Sequence, residues 1–251
     1  MIDTQIIQLS ESIYCLRRPS YVTCSYMVIT PNGVVLVDAG MDSTGRDVHS
    51  GLRHIGRSAT SIRAILLTHW HNDHAAGASE IHKESRAPVY YHAADEPFLT
   101  RRTAKLGLRG SLSELFPEYG IFVLFKGLLG EAPPRAIFAT NFVRDGQQIL
   151  DHFLVLETPG HTAGHVSYYY GPEKALFAGD ALAVVGNRIR FMARPVTLNL
   201  QQARSSMVKC LQLDVDMVCP GHRMPLTRDI KPRLDEMKRY LAEEKPWPLF
   251  G

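Results

Sequence analysis

The chain lacks the features that mark membrane, secreted and nucleic-acid-binding proteins. No stretch approaches the roughly 20 consecutive apolar residues that a membrane-spanning helix needs. Residues 1–12 have neither a basic start nor an apolar core, so we expect no signal peptide and a cytoplasmic protein. The formal net charge of +3 is too small to indicate binding to nucleic acid or to an anionic membrane.

Cysteine is also scarce, and two motifs of redox and nucleophilic chemistry are missing. The four cysteines, at positions 15, 24, 210 and 219, contain no Cys-x-x-Cys pair. The sequence has no Gly-x-Ser-x-Gly elbow that would hold a serine nucleophile. We expect the thiols to be reduced and buried, with Cys219 close to a potential ligand because it precedes Pro-Gly-His.

Histidine, in contrast, is concentrated in one short stretch. Residues 69–74 read His-Trp-His-Asn-Asp-His and follow an apolar run, which places four potential metal ligands within six positions. Imidazole nitrogen and carboxylate oxygen suit zinc, and also iron or manganese. His69 and His71 can point the same way from an extended backbone. Asp73 and His74 come after a turn and can face a second point, so one loop could supply two neighbouring ions.

Three later segments share one form, an apolar run that ends in a glycine turn and a potential ligand. These segments are 158–165 (Thr-Pro-Gly-His-Thr-Ala-Gly-His), 176–180 (Leu-Phe-Ala-Gly-Asp) and 215–222, which ends Cys-Pro-Gly-His. Glycine lets the backbone turn sharply and approach an ion closely. Functional residues on loops held by a rigid sheet are common, so each segment offers a ligand at the end of a strand.

Taken in order, these motifs resemble those of the metallo-β-lactamase-fold superfamily of metallo-hydrolases, in particular its lactonase and glyoxalase II-like branch. Residues 36–40, Leu-Val-Asp-Ala-Gly, are similar to that family's first motif. The resemblance covers about residues 12–226, nearly the whole chain. It implies an α/β fold of the four-layer αβ/βα sandwich type.

The resemblance also implies two divalent metal ions, with zinc as the expected metal and iron or manganese as alternatives. The first ion would have three histidine ligands: His69, His71 and His161. The second ion would have three further ligands: Asp73, His74 and His222. Asp180 would bridge both ions. Asp38 and His165 would not bind metal but would hydrogen-bond to the ligand loops and help to fix them.

The expected chemistry is hydrolysis of a small molecule that contains a lactone, thioester or ester carbonyl. A divalent ion lowers the pKa of bound water from about 15.7 to about 7, so a metal-bridging hydroxide would attack the carbonyl. A metal would also hold the oxyanion that develops. Asp180 and Asp73 are the predicted catalytic residues, because Asp73 has a carboxylate oxygen that could orient the water and move a proton.

Three alternatives stay open: a persulfide-dioxygenase-like iron oxygenase, a β-lactam-hydrolysing enzyme and a non-catalytic metal-binding protein. Lactonases of this family usually carry a tyrosine three residues after the bridging aspartate, where this chain has Ala183. Glyoxalase II enzymes carry a longer helical C-terminal region, whereas only 29 residues follow His222 here. Class B1 β-lactamases carry an arginine where this chain has His74.

We expect one domain, residues 1–251, built from alternating strands and helices. Strands are predicted at 12–16, 24–29, 34–38, 63–68, 89–91, 147–157, 166–170, 174–179 and 215–219, and helices at 43–55, 75–84, 199–212 and 230–244. An inserted helical segment at about 95–144 breaks the alternation. It is interpreted as a lid that forms an apolar acyl pocket, or as a packed hairpin or dimer contact. An exposed surface at 121–129 would favour a homodimer.

Overall fold

The computed structural model of the chain describes residues 4–19, 22–100, 135–138, 141–150, 152–243 and 245–249. It divides into two compact units, of which the first comprises Met1–Tyr91 and Asp95–Asn141 and the second His92–Ala94 and Phe142–Gly251. Within the described ranges, none of the helices combines the length and apolar character that crossing a membrane requires. The prediction of a single domain stays a prediction.

The first unit contains a sheet whose strands pair in chain order. Its strands are β1 (Gln5–Gln8), β2 (Ile13–Arg18), β3 (Thr23–Thr30), β4 (Gly33–Val37), β5 (Ile62–Leu66) and β6 (Val89–His92). β1 to β4 are antiparallel, and β5 and β6 join as parallel strands. β4 and β5 are almost wholly buried, as expected for strands covered on both faces. Their register pairs Val37 with Leu66, so both strands end at the same edge.

Short helices cover this sheet. They are α1 (Arg46–His54), α2 (Asn72–Ala75), α3 (Ala78–Ser85) and α4 (Glu96–Leu99). α1 buries Val48 and Leu52, which are one helical turn apart, in the core beside the sheet. Where one helix was predicted over 75–84, the structure has α2 and α3. Gly77 separates them, and a Cβ at Gly77 would lie only 2.4 Å from the carbonyl oxygen of Ala39.

The second unit contains a mixed sheet and a hairpin. Its sheet strands are β8 (Gln148–Ile149), β9 (Phe153–Glu157), β10 (Val166–Tyr170), β11 (Ala175–Gly179) and β14 (Met217–Pro220). The hairpin consists of β12 (Ala183–Val185) and β13 (Arg188–Arg190), and β7 (Asn141–Val143) contains the boundary between the units. The sheet order is β14-β11-β10-β9-β8, in which only β11 and β14 are parallel.

Two longer helices, α5 (Leu200–Leu211) and α6 (Ile230–Ala242), belong to the second unit. α5 begins at Asn199, whose side chain accepts a hydrogen bond from the backbone N–H of Gln202 and so caps the helix. Met207 of α5 and Leu234 of α6 are buried in the same apolar core as Leu176 of β11. The helices predicted at 199–212 and 230–244 therefore form close to their expected bounds.

Four of the described strands were not predicted, namely β1, β7 and the two strands of the β12–β13 hairpin. The inserted segment predicted at about 95–144 begins with α4, and residues 101–134 lie outside the described residues. The lid, the acyl pocket and the dimer surface at 121–129 were assigned to that segment and stay predictions.

Candidate metal centre

The His-rich stretch of the first unit lies where the chain leaves β5 and turns into α2. His71 is the last extended residue before the helix, with φ −60° and ψ 147°. Because the helix begins at Asn72, His69 and His71 precede the turn, whereas Asp73 and His74 lie in the first helical turn. Four potential ligands therefore follow the end of one strand, two before and two after the point where the backbone changes from extended to helical.

The side chains of this stretch form a tight cluster. Nε2 of His69 lies 3.0 Å from Nδ1 of His71. The ring centroids of His69 and His74 are 4.2 Å apart, and ligand atoms of Asp73 and His74 lie within 4.8 Å of each other. His69 and His74 are buried, with 1% and 0% of their surface exposed, whereas His71 and Asp73 are partly exposed.

Asp38 orients this cluster from the end of β4. One carboxylate oxygen, Oδ1, accepts a hydrogen bond of 2.8 Å from the backbone N–H of Thr68. The other, Oδ2, lies 2.8 Å from Nδ1 of His74. Nδ1 of His74 donates to this carboxylate, so Nε2 is the ring nitrogen that can face an ion. Asp38 itself has φ +60°, a conformation that non-glycine residues rarely adopt.

Thr68 fixes the ring of His69 in a similar way, by a hydrogen bond at Nδ1. Its hydroxyl lies 2.9 Å from Oδ2 of Asp38 and 3.0 Å from Nδ1 of His69. The hydroxyl donates to the carboxylate and accepts from Nδ1 of His69, which leaves Nε2 of that ring as the nitrogen available to a metal. The two buried histidines are therefore held in the same tautomer by one aspartate and one threonine.

An aromatic pair borders the cluster at His71. The ring of Trp70 stacks on Phe98 with centroids 4.6 Å apart and planes 14° apart, and meets His71 edge-on at 4.4 Å. The backbone N–H of Trp70 donates to the buried carboxylate of Asp95 at 3.1 Å. Neither Phe98 nor Asp95 carries a motif, so sequence analysis did not single them out.

In the second unit, His161, Asp180 and His222 come together around one oxygen atom. Oδ2 of Asp180 lies 3.3 Å from Nε2 of His161 and 3.2 Å from Nε2 of His222. Asp180 follows β11 and His222 follows β14, and these parallel strands hold the two residues side by side. The N–H of Gly221 donates to the carbonyl of Gly179 at 2.8 Å and extends this pairing to the ligand turns.

The loop that carries His161 requires glycine at position 160. Gly160 has φ +137°, and a Cβ there would lie 2.3 Å from the backbone nitrogen of Ala203 in α5. The hydroxyl of Ser206 donates to the carbonyl of Pro159 at 2.7 Å. The loop therefore rests directly on the helix, and only glycine permits this close approach.

His165 contacts Asp180 through the backbone of that residue. Its Nε2 accepts a hydrogen bond of 2.9 Å from the backbone N–H of Asp180, and its Nδ1 lies 2.8 Å from the hydroxyl of Thr158. Its ring meets His161 edge-on, with centroids 6.1 Å apart. Thr158 was not among the predicted site residues, because a lone threonine gives no sequence signal.

Both clusters have the chemistry of a divalent metal site. In the first unit, hydrogen bonds at Nδ1 leave the Nε2 atoms of His69 and His74 for coordination. In the second, two imidazole nitrogens face one carboxylate oxygen of Asp180. Histidines held in this way by outer partners are typical of metal ligands, and the donor set suits zinc, iron or manganese.

The cysteines take no part in either cluster. All four are buried and free of disulfide bonds, as expected. Cys219 lies inside β14, two residues before the glycine turn. Burial raises the pKa of the Cys210 thiol from its ordinary 9.0 to about 11, so this thiol is inert at neutral pH.

Known proteins with similar sequences are metallo-hydrolases. The model of the metallo-β-lactamase superfamily matches residues 18–222. The probable metallo-hydrolase YflN of Bacillus subtilis is 29% identical over 253 residues, covering 92% of this chain and 88% of that protein. The hydroxyacylglutathione hydrolase of Pectobacterium atrosepticum is 30% identical over 220 residues, covering 84% of this chain and 67% of that protein.

Solved structures show the same fold at lower identity. A Cronobacter sakazakii metallo-β-lactamase with a HARLDQ motif superimposes with a TM-score of 0.65 at 20% identity, covering 97% of this chain and 85% of that one. The predicted fold class is thereby confirmed.

Proposed function

Because the chain belongs to the metallo-β-lactamase superfamily and is a metallo-hydrolase, we propose that it hydrolyses a lactone or thioester with the help of two divalent ions, zinc being the expected metal. The observation that carries this proposal is the position of Asp180. One oxygen of its carboxylate faces both His161 and His222, at 3.3 and 3.2 Å. These histidines belong to different ligand sets of the family, and a carboxylate that faces both suits a bridging ligand.

In this proposal the ligands divide as the motifs predict. One ion takes three histidines: His69, His71 and His161. The other takes one aspartate and two histidines: Asp73, His74 and His222. Asp180 is shared, while Asp38 and Thr68 fix the tautomers of two ligands.

When bound, divalent ions acidify a coordinated water and polarise a substrate carbonyl. The residues of the chain supply the rest. The Asp73 carboxylate lies 3.7 Å from Nε2 of His74, and 26% of its side chain is exposed. A partly exposed carboxylate beside the site can accept a proton and release it to solvent. Asp180 is almost fully buried, which suits a ligand whose carboxylate is held in place by the surrounding residues.

Two observations support the substrate class. The relative from Pectobacterium is a hydroxyacylglutathione hydrolase, and hydroxyacylglutathione is a thioester. The sequence has no Gly-x-Ser-x-Gly elbow and all four cysteines are buried, so water is the proposed attacking group. Lactones and thioesters are both carbonyl compounds activated towards attack by water, so the same site chemistry serves either.

The test uses purified, zinc-loaded protein with two substrates, a long-chain acyl-homoserine lactone and an acyl-glutathione thioester. Hydrolysis is followed by proton release for the first and by free thiol for the second. We expect turnover of at least one substrate, and a loss of on the order of 100-fold or more in kcat/KM for Asp180→Asn. Asp235→Asn is the matched control, because Asp235 lies on α6 with 68% of its side chain exposed.

Two results would contradict the proposal. One is a wild-type protein that binds two zinc ions per chain but hydrolyses neither substrate. The other is an Asp180→Asn variant that turns over substrate as fast as Asp235→Asn. Measured metal content separates either result from simple failure to load the protein.

A further inference from the structure

A closed chain of buried hydrogen bonds begins and ends on the turn that carries Asp180. The backbone N–H of Asp180 donates to Nε2 of His165 at 2.9 Å. Nδ1 of His165 lies 2.8 Å from the hydroxyl of Thr158, which lies 3.0 Å from the hydroxyl of Ser167. Ser167 donates to the carbonyl of Ala178 at 3.1 Å. The three side chains are at most 1% exposed.

The ends of this chain determine the direction of every bond. A backbone N–H can only donate, so Nε2 of His165 accepts and its Nδ1 carries the hydrogen of the neutral ring. Nδ1 must then donate to Thr158. A backbone carbonyl can only accept, so Ser167 donates to Ala178 and receives the hydrogen of Thr158. Each hydroxyl donates once, the Ser167 hydroxyl also accepts a weak hydrogen bond from the thiol of Cys210 at 4.0 Å, and both ring nitrogens of His165 are engaged.

The turn between Ala178 and Asp180 is also held from its other side. The N–H of Gly221 donates to the carbonyl of Gly179 at 2.8 Å, which ties the turn to β14. Gly179 itself has φ +52°. The side chains of Thr158, His165 and Ser167 thus fix the two outer residues of the turn, and β14 fixes the middle one.

We propose that Thr158, His165 and Ser167 are positioning residues that set the place of the Asp180 carboxylate between His161 and His222. This inference rests on the proposed function, in which Asp180 bridges two ions. Metal–ligand distances tolerate errors of only about 0.2 Å, so a small movement of the turn weakens coordination before it disturbs the fold. His165 cannot itself be a ligand, because neither ring nitrogen has a lone pair that points elsewhere.

The decisive comparison is between two substitutions of Thr158. Thr158→Val keeps the shape of the side chain but removes the hydroxyl, which leaves Nδ1–H of His165 without this acceptor. Thr158→Ser keeps the hydroxyl and loses only a methyl group. Zinc affinity is measured by competition with a chromophoric chelator, and the visible spectrum of the Co²⁺-loaded protein reports the geometry of coordination. Neither measurement needs a substrate.

We expect Thr158→Val to lower zinc affinity on the order of 10- to 100-fold and to change the Co²⁺ spectrum. Thr158→Ser should recover most of the affinity and the wild-type spectrum. Ser167→Ala removes the last hydroxyl of the chain and should lower affinity by about 5-fold. It provides a second variant if Thr158→Val fails to fold. Ser205→Ala is its control, because Ser205 is exposed on α5 and its hydroxyl donates to the carbonyl of Gln201 in the same helix.

The outcomes separate this inference from the function on which it rests. If the wild type binds two zinc ions and Thr158→Val binds them equally well with an unchanged Co²⁺ spectrum, the positioning role is wrong and the proposed function stands. If Thr158→Val and Thr158→Ser lose affinity alike, the hydroxyl is irrelevant and the positioning role is again wrong. A wild-type protein that binds no divalent metal would overturn both.

Discussion

The carboxylate of Asp38 and Nδ1 of His74 are joined by a hydrogen bond of 2.8 Å between two almost fully buried side chains. The same carboxylate also accepts from the backbone and hydroxyl of Thr68. Asp38 thus links the end of β4 to both the strand end and the helix that carry the first unit's potential ligands. Asp38, which is predicted not to bind metal, thus fixes the orientation of two residues that are proposed to do so.

The substitution Asp38→Asn should weaken metal binding. An asparagine has only one acceptor oxygen, so it cannot accept from the backbone N–H of Thr68 at the Oδ1 position and from Nδ1 of His74 at the Oδ2 position together. If its amide group faces His74, Nδ1 must become the acceptor and Nε2 the protonated nitrogen. We expect a loss of zinc affinity on the order of 10- to 100-fold in chelator competition. Asp216→Asn, at a position with 58% exposure, should retain wild-type affinity. Equal affinity in the two variants would contradict this role of Asp38.

The substitution Gly160→Ala should destabilise the protein strongly. The added Cβ would meet the backbone of α5 at 2.3 Å and require φ +137°. We expect a loss of about 2–5 kcal/mol in the free energy of unfolding, measured by denaturant titration of the metal-free protein. Gly146→Ala is the matched control, since its φ is +72° but no atom lies within 4 Å of the added Cβ. It should cost only about 1–2 kcal/mol. Similar losses would show that contact with the helix does not matter.

The ion pair between Arg18 and Asp47 should behave as a buried pair. Their side chains are 7% and 2% exposed, with Nη1 of the arginine 3.4 Å from Oδ2 of the aspartate. Arg18→Met leaves a buried carboxylate without its cation and should cost about 3–5 kcal/mol of stability. The double variant Arg18→Met with Asp47→Asn should regain much of this loss. Additive losses in urea unfolding would argue against coupling between the two residues.

The thiols should be unreactive in the folded protein. All four cysteines are at most 2% exposed, and burial raises the pKa of Cys210 to about 11. A pKa that is higher in the folded than in the unfolded state contributes stability below pH 9.0, and this contribution declines as pH rises towards 11. We expect a thiol reagent at pH 8 to modify the native protein slowly and all four cysteines rapidly in denaturant. Fast modification of Cys210 in native protein would contradict this expectation.

Tryptophan fluorescence offers a direct report on the first unit. The chain has two tryptophans, of which Trp70 lies against His71 at 4.4 Å. Trp247 lies in the other unit, stacked on Phe191. Zinc titration of Trp247→Phe, which retains Trp70, should change the emission until the site is filled. Trp70→Phe should show a much smaller change. An unresponsive Trp70 in a protein that binds zinc would argue against His71 as a ligand.

Much of the site could be predicted because its residues follow strand ends. His69, Asp180 and His222 each follow a buried apolar run within a few residues. Because so few residues separate each of them from its strand, their positions are closely determined by the strand ends. Local spacing also predicted that His71 and Asp73 would fall on opposite sides of a backbone turn, as they do. These inferences need only the geometry of one strand and one turn.

Residues that act through distant backbone contacts could not be predicted in this way. Asp95 accepts a hydrogen bond from the backbone N–H of Trp70, which is 25 positions away in the sequence. No sequence motif around either residue predicts this bond. Strand β1 was missed because its residues are exposed or only partly buried, so they give no apolar alternation. The β12–β13 hairpin did carry a signal, the dipeptide Gly186-Asn187 with positive φ at both residues, which is typical of a two-residue hairpin turn.

The parallel pairing of β11 with β14 determines where residues can be inserted without moving His222. Ala175 of β11 pairs with Met217 of β14. The chain between these two strands contains the β12–β13 hairpin and α5. Residues added to the connection between α5 and β14 would lengthen a loop without moving His222. One residue added within β14 would displace His222 by about 3.3 Å and turn its side chain to the opposite face of the sheet. The distance between Asp180 and His222 therefore depends on the register of β11 and β14 and not on the length of the chain that connects them.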